Sequence, residues 1–586
     1  VGGSSVLQGD VGLELGRRVA ESLRSALGVR ITPEQALIRP SSAGRGADYQ
    51  CNAAMSLART VGKTPREVAE ALLAGLDAAD LVEQAEIAGP GFVNFRLRDD
   101  WLGAQATRLL ADERVGVPLA ERPGRYAVDY GSPNVAKEMH VGHLRSSIIG
   151  DAIVRLLEFG GHEVIRRNHL GDWGTPFGML IEHLVDEGWT TVEADHSIGD
   201  LNSFYRAARA KYDADGDFAE RARRRVVSLQ GGDEPTLALW RELVAESTRH
   251  FEQVYAALGV TLARGDNYGE SFYNPFLADT VTELADRGLT ETSDGAVCVF
   301  PPGFANRDGE RLPLIVRKGD GGYGYAATDL AGVRYWTRER DVTDLVYVVG
   351  APQKLHFEMV FAAAEQAGWL DGDHRAVHVE FGSILGEDGK IFRTRAGDTI
   401  KLADLLREAV DRAAEVVAER TDLDERQRGQ VAEAVGIGAV KYADLANDRD
   451  KDYVFSWTKM LALEGNTAVY LQYANARILS VLRRAGEQPA EGAPIVLTAQ
   501  AERALVLKLL QLPGAVASAV ADFAPHKLCT YLYETATAFS GFYQQCPILK
   551  ADTEDSRRSR LALARLTSTV LTLGLSLLGI QAPQRM

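Results

Sequence analysis

One turn constrains this chain more than any other stretch. Ser132-Pro133-Asn134-Val135-Ala136-Lys137-Glu138-Met139-His140-Val141-Gly142-His143 lies between a strand pattern and a helix pattern. Before it, Arg125-Tyr126-Ala127-Val128-Asp129-Tyr130 has the apolar centre of a buried strand. After it, Leu144, Ile148, Ile149, Ala152, Ile153, Leu156 and Leu157 recur at helical spacing. The predicted unit is strand, turn, helix, with His140–His143 at the helix N-terminus. Such a terminus offers unpaired N–H groups and the positive end of a dipole, which suit a triphosphate. Gly142 removes a side chain that would block a nucleotide, and two imidazoles three residues apart can hydrogen-bond phosphate oxygens during displacement at the α-phosphorus.

From about 121 to 415, strand patterns (Tyr126–Tyr130, Glu163–Arg167, Leu345–Val349, Val377–Phe381) alternate with helices such as Phe357–Ala367. That rhythm predicts a Rossmann-like, doubly wound parallel sheet with its ligand at the strand C-terminal ends. A charged helical stretch at about 185–255 reads as an insertion. Residues 1–120 form a separate α/β unit, with helix patterns near 11–28 and 65–79 and a turn at Gly89-Pro90-Gly91 leading into a strand. From about 425 to 586 the pattern is helical, which predicts a bundle. With 586 residues, roughly three or four domains are expected.

The chain shows no obvious run of about 18 apolar residues and no basic-then-apolar leader, so a cytoplasmic protein that does not span a membrane is expected. Cys51, Cys298, Cys529 and Cys546 have no zinc-ligand spacing, and no metal ligands are assigned to protein side chains. The net charge of −16 argues against a general nucleic-acid binder. Local basic patches must then meet any phosphate backbone. Arg221-Ala222-Arg223-Arg224-Arg225 is one candidate, with a solvated helix face as its plainer reading.

The run Ser132–Ser147 resembles the signature of class I aminoacyl-tRNA synthetases, specifically the arginyl-tRNA synthetases. Asn168-His169-Leu170-Gly171-Asp172-Trp173-Gly174-Thr175, Gly269-Glu270-Ser271-Phe272-Tyr273 and Tyr470-Leu471-Gln472-Tyr473 resemble further family strings, so that the likeness covers essentially the whole chain. The resemblance implies ATP-dependent activation of L-arginine to an adenylate, then transfer to the terminal adenosine of tRNA(Arg). It implies a C-terminal anticodon-binding domain at 425–586, a catalytic domain at 121–415 and an N-terminal domain at 1–120 that meets the tRNA elbow.

A guanidinium has five N–H donors in a planar fork and no acceptor, so its pocket needs carboxylates, amide oxygens or phenols around that plane. The resemblance assigns Asp129, Ser132, Asn134, Tyr325, Asp329 and Gln353 to arginine. Tyr325 and Asp329 are four apart, which puts both on one helix face. Asp329 is expected to pair with the guanidinium, Tyr325 to pack across it, and Asp129 and Asn134 to take the α-amino end or the polar rim. ATP falls to His140, Gly142, His143, Gly171, Asp172, His356, Arg393 and Arg395, with Mg²⁺ carried mainly by the phosphates.

Class I enzymes normally carry a K-M-S-K-S loop, but here the region reads Gly386-Glu387-Asp388-Gly389-Lys390-Ile391-Phe392-Arg393-Thr394-Arg395. Lys137, three residues before His140, is expected to replace the missing lysine as a point charge on the transferring phosphate. Unpaired RNA bases are usually taken by stacking on aromatics. By resemblance, Phe92 and Asn94 hold a flipped-out elbow base, and Tyr470, Tyr473 and Met586 meet the anticodon. A monomer that requires tRNA before it activates arginine is expected. A small-molecule nucleotidyltransferase uses the same turn but has no need of 425–586. A duplicated synthetase serving resistance or a biosynthetic pathway keeps every feature, and a non-catalytic paralogue is disfavoured by the intact His140, Gly142, His143, Lys137, Asn134 and Asp329.

Overall fold

The structure is a computed structural model, describing residues 10–41, 46–188, 201–393, 400–418, 423–486 and 492–586. Compactness divides the chain into two units: Val1–Leu119 with Ala462–Leu577 and Gln581–Met586, and Ala120–Leu461 with Leu578–Ile580.

In the first unit, β1 (Ile38–Pro40), β2 (Tyr49–Cys51), β3 (Val82–Ala88) and β4 (Phe92–Leu97) form an antiparallel sheet ordered β1-β2-β4-β3. With it go α1 (Val11–Leu27), α2 (Ala53–Val61), α3 (Pro65–Ala74) and α4 (Asp99–Leu110). α3 starts in a Thr64–Glu67 capping box and stops at Gly75, earlier than the apolar pattern suggests. The helices α16 (Ala468–Ala485), α17 (Gln500–Leu509), α18 (Leu512–Ala521), α19 (His526–Gln545) and α20 (Glu554–Leu577) complete the unit. Arg503 of α17 is buried between Asp48 and Asp99, which ties α17 to the N-terminal sheet and α4. Among the described residues one stretch, Gln500–Ala521, is long and apolar enough by length and composition to cross a membrane, although it is no unbroken apolar run. Here it is broken into α17 and α18, both packed on α19.

The second unit is built on a four-stranded parallel sheet ordered β11-β10-β5-β6: β5 is Arg125–Asp129, β6 Glu163–Arg167, β10 Asp344–Gly350 and β11 Arg375–Phe381. α5 (Val141–Phe159) joins β5 to β6, and α12 (Lys354–Gln366) joins β10 to β11. From β5 the chain steps first to one neighbour and later returns on the other side. The crevice between β5 and β10 is thus the topological switch point, where ligands bind in such sheets. All seven apolar positions that marked α5 in the sequence are buried.

The insertion is helical, with α6 (Pro176–Asp186) leading into α7 (Leu201–Ala214), α8 (Gly216–Gln230) and α9 (Glu234–Leu258). Its arginine run is spent locally: Arg221 pairs with Glu182 and Asp186, Arg225 with Glu182, and Arg223 with Glu220. α10 (Asn274–Asp286) is followed by a small antiparallel sheet, β7 (Thr290–Ser293), β8 (Ala296–Val299) and β9 (Leu314–Arg317), which the strand–helix rhythm did not reveal. α11 (Tyr325–Arg334) comes next. α14 (Glu425–Leu445), expected in the C-terminal bundle, packs on α13 (Leu402–Val417) within this unit. Nor is the chain after 425 wholly helical, since β13 (Tyr453–Val454) pairs in parallel with β12 (Ile384–Leu385). α15 (Trp457–Met460) ends the unit.

Candidate active site

The turn between β5 and α5 is held from several sides. Ser132 and Ala136 both take left-handed backbone angles (φ +47° and +61°), a conformation that costs non-glycine residues on the order of 1–3 kcal/mol and collects at functional turns. The Ser132 N–H donates to Asn168 Oδ1 (3.0 Å). Val141 N–H donates to the Ile400 carbonyl (3.0 Å), Leu402 N–H to that of Met139 (2.9 Å), and Lys401 Nζ pairs with Glu138 (2.8 Å). The start of α13 therefore braces the turn.

His140 is the N-cap of α5. Its Nδ1 accepts from Gly142 N–H (3.0 Å), while His143 Nδ1 accepts from His140 N–H (3.1 Å). With both Nδ1 atoms used as acceptors, the network assigns the proton of each neutral ring to Nε2. Burial is the main cause that lowers both rings. The nearby Lys137 ammonium adds to the effect at His140, and His143 is pushed down to about 3. The pair thus presents neutral Nε2–H donors at a helix N-terminus. A Cβ on Gly142 would lie 2.7 Å from His140 Cε1, so the glycine is needed first to let the His140 ring fold back over the helix end.

Beside these rings is a cavity of about 250 Å³ whose lining includes His140, Gly142, Gly350, Phe381, Ile391 and Arg393. It opens at the C-terminal ends of β10 and β11, where a nucleotide is expected. Arg393 reaches it; Arg395 lies outside the described residues. Lys137 Nζ lies over the Tyr205 ring, 4.4 Å from its centroid. Gly171 is fitted against the first turn, since an added Cβ would come within 2.2 Å of Asn134 Oδ1, and the two residues form a parallel bridge. Asp172, read from sequence as a nucleotide residue, is turned inward. Its carboxylate accepts from Ser271 N–H (2.9 Å) and Oγ–H (2.7 Å), organising the Gly269–Tyr273 loop.

For the amino acid, Asp129 closes β5 and accepts from Ser132 Oγ–H (2.9 Å). Asn134 and Gln353 are exposed, the latter at the start of α12, and Tyr325 at the start of α11 is 76% exposed. Asp329 Oδ2 lies 2.6 Å from His356 Nε2, so the histidine expected at ATP is bonded to the carboxylate expected at arginine. That bond is the chief cause that raises His356 above the ordinary histidine range. Sequence reading missed two further groups. Glu270 is pushed up to about 8 by burial and by the charges of Asp172 and Asp329. Tyr347, raised by burial, also feels the charges of Asp329 and Asp129. The string Gly269–Tyr273 was the only sequence signal for Glu270.

Of the RNA candidates, Asn94 is buried and accepts from Gln50 Nε2–H (2.9 Å), and Phe92 is partly buried. Tyr470 and Tyr473 are partly buried at the start of α16, with the Tyr470 hydroxyl 3.2 Å from Ser540 Oγ; Met586 is also partly buried.

Comparison with known proteins matches three successive segments of the chain. Residues 105–457 match the family model of the class I tRNA synthetases (R), catalytic domain. Residues 471–586 match the DALR anticodon binding domain, and 14–97 the arginyl tRNA synthetase N terminal domain. The arginine–tRNA ligase of Thermobifida fusca is 52% identical over 574 residues, spanning 98% of this chain and 99% of that protein. That of Frankia casuarinae is 49% identical, spanning 95% and 96%. The arginyl-tRNA synthetase structures from Plasmodium falciparum (TM-score 0.86, 28% identity, 99% of this chain and 100% of that one) and Thermus thermophilus (0.80, 26%, 98% and 100%) share the fold.

Proposed function

The chain belongs to the class I arginyl-tRNA synthetases, and we propose that its switch-point crevice holds ATP at His140–His143 and arginine between Asp329 and Asp129. The reaction is ATP-dependent activation of L-arginine followed by transfer to the terminal adenosine of tRNA(Arg), giving AMP and diphosphate. The observation that carries the pocket assignment is Glu270. A half-buried carboxyl raised to about 8 by desolvation and by the charges of Asp172 and Asp329 marks a site short of positive charge, which an arginine side chain supplies.

In this reading the guanidinium takes the Asp329 carboxylate now bonded to His356, and Tyr325 closes over it. Asp129, Ser132 and Asn134 meet the α-ammonium end, and Gln353 borders the pocket. The arginine carboxylate attacks the α-phosphorus, forming the acyl–phosphate bond as the bond to diphosphate breaks. Nε2–H of His140 and His143 donate to phosphate oxygens as charge builds, and neutral donors need no proton transfer to do so. Lys137 swings from Tyr205 onto the leaving phosphates, and Arg393 supports them. ATP enters as its magnesium complex, with the ion carried by the phosphates.

The DALR-matching segment, with Tyr470, Tyr473 and Met586, reads the anticodon, and Phe92 with Asn94 meets the tRNA elbow. The enzyme works as a cytoplasmic monomer and needs tRNA for activation. ATP–diphosphate exchange tests this. Exchange with arginine and tRNA together is expected; exchange without tRNA sinks the dependence, and none under any condition sinks the assignment. The small-molecule nucleotidyltransferase reading gives residues 471–586 no role.

A further inference from the structure

We propose that Arg167 is a positioning residue for arginine activation, whose buried guanidinium holds the Asp129 carboxylate aimed at the amino-acid end of the pocket. The inference rests on the assignment of Asp129 to the arginine α-ammonium.

Arg167 closes β6 and is the register partner of Asp129 at the end of β5. Its Nη2 lies 3.5 Å from Asp129 Oδ2 and donates to the Tyr273 hydroxyl (3.1 Å), which in turn accepts from Trp336 Nε1–H (2.8 Å). The guanidinium carbon stands 5.1 Å from the Trp336 ring centroid and 5.4 Å from that of Tyr347, so aromatic rings flank the cation. Arg167 is 2% exposed. Among the described residues, Asp129 is the one carboxylate within ion-pair distance of it.

A buried ion pair is a poor device for stability, because well-packed apolar residues of the same volume do as well or better. What the pair does supply is a fixed position for the Asp129 carboxylate at the end of β5. Its own turn adds the Ser132 hydroxyl, and the phenols of Tyr255, Tyr273 and Tyr347 lie near enough to feel its charge. Without Arg167 the carboxylate loses that cationic anchor and can turn away from an ammonium group.

The test compares arginine and ATP KM values in tRNA-supplemented ATP–diphosphate exchange for the parent, Arg167→Met, Arg167→Gln, Arg167→Lys and Asp129→Asn. Arg167→Met is expected to raise the arginine KM about tenfold, roughly 1.4 kcal/mol, and leave the ATP KM unchanged. Arg167→Lys should recover part of the loss. If Arg167→Met does not fold, Arg167→Gln carries the same expectation. An unchanged arginine KM in a folded Met or Gln variant overturns the proposal. So does an equal loss toward ATP and arginine. An unchanged arginine KM in Asp129→Asn overturns the assignment of Asp129, and the proposal with it.

Discussion

Arginine binding should expel protons, and the amount follows from Glu270. A carboxyl titrating at about 8 is about 90% protonated at pH 7. When a guanidinium enters beside Asp329, the ionised form of Glu270 gains a nearby cation and the proton leaves. The sign is fixed by linkage: the empty site binds more protons than the filled one, so arginine affinity rises with pH and levels off above about pH 8. Glu270 alone contributes up to about 0.9 proton per arginine at pH 7, and hence a slope of up to about 0.9 in log affinity per pH unit. His356 adds in the same direction, since its raised protonation depends on the Asp329 oxygen that the substrate takes. Calorimetric titration of arginine into the enzyme, in buffers of different ionisation enthalpy, reads the proton count directly. Glu270→Gln should reduce the release by up to about 0.9 proton while leaving the His356 share. No release, net uptake, or a release that Glu270→Gln does not change refutes the reasoning.

Lys137→Ala should slow single-turnover adenylate formation about 10²–10³-fold at saturating arginine, ATP and tRNA, the usual loss for one charge-stabilising group. A near-normal rate removes Lys137 from the chemistry. Asp329→Asn should weaken arginine by about 3–5 kcal/mol in KM-based comparison, because the guanidinium loses its ionic partner on burial; an unchanged arginine KM places the guanidinium elsewhere. Arg503→Met leaves Asp48 buried without its cation and should destabilise the first unit by about 3–5 kcal/mol. Urea denaturation followed by circular dichroism measures this, and an unshifted midpoint denies Arg503 that role.

The sequence carried the parallel sheet because buried parallel strands are short apolar runs, and β5, β6, β10 and β11 all fall on the patterns read for them. β7–β9 escaped, since four-residue strands such as Thr290–Ser293 have too few apolar positions to make a period. The helical reading of 425–586 missed β13 for the same reason of length. At the site, the His140–His143 turn was legible because its chemistry is local, each contact spanning two or three residues. The Asp329–His356 bond joins residues 27 apart, and Arg167–Asp129 joins two strands. Pairings of that kind depend on packing, which spacing along the chain does not record. Asp172 shows the converse, where a motif residue is engaged by Ser271, 99 positions away.

The β12–β13 pairing gives the cavity beside His140 a mechanical property. Ile384 and Phe392, both in its wall, belong to a hairpin tied to Tyr453–Val454, and Phe392 stacks on Phe455 at 4.5 Å. Ser456 Oγ–H then donates to Glu387 (3.0 Å), and the chain leaves the unit soon after, at Leu461. One side of the cavity is therefore anchored to the exit strand of its own unit, as a door is to its hinge post. A short hydrogen-bonded seam, one ring stack and the Ser456–Glu387 bond are thus the links between that exit and the cavity wall.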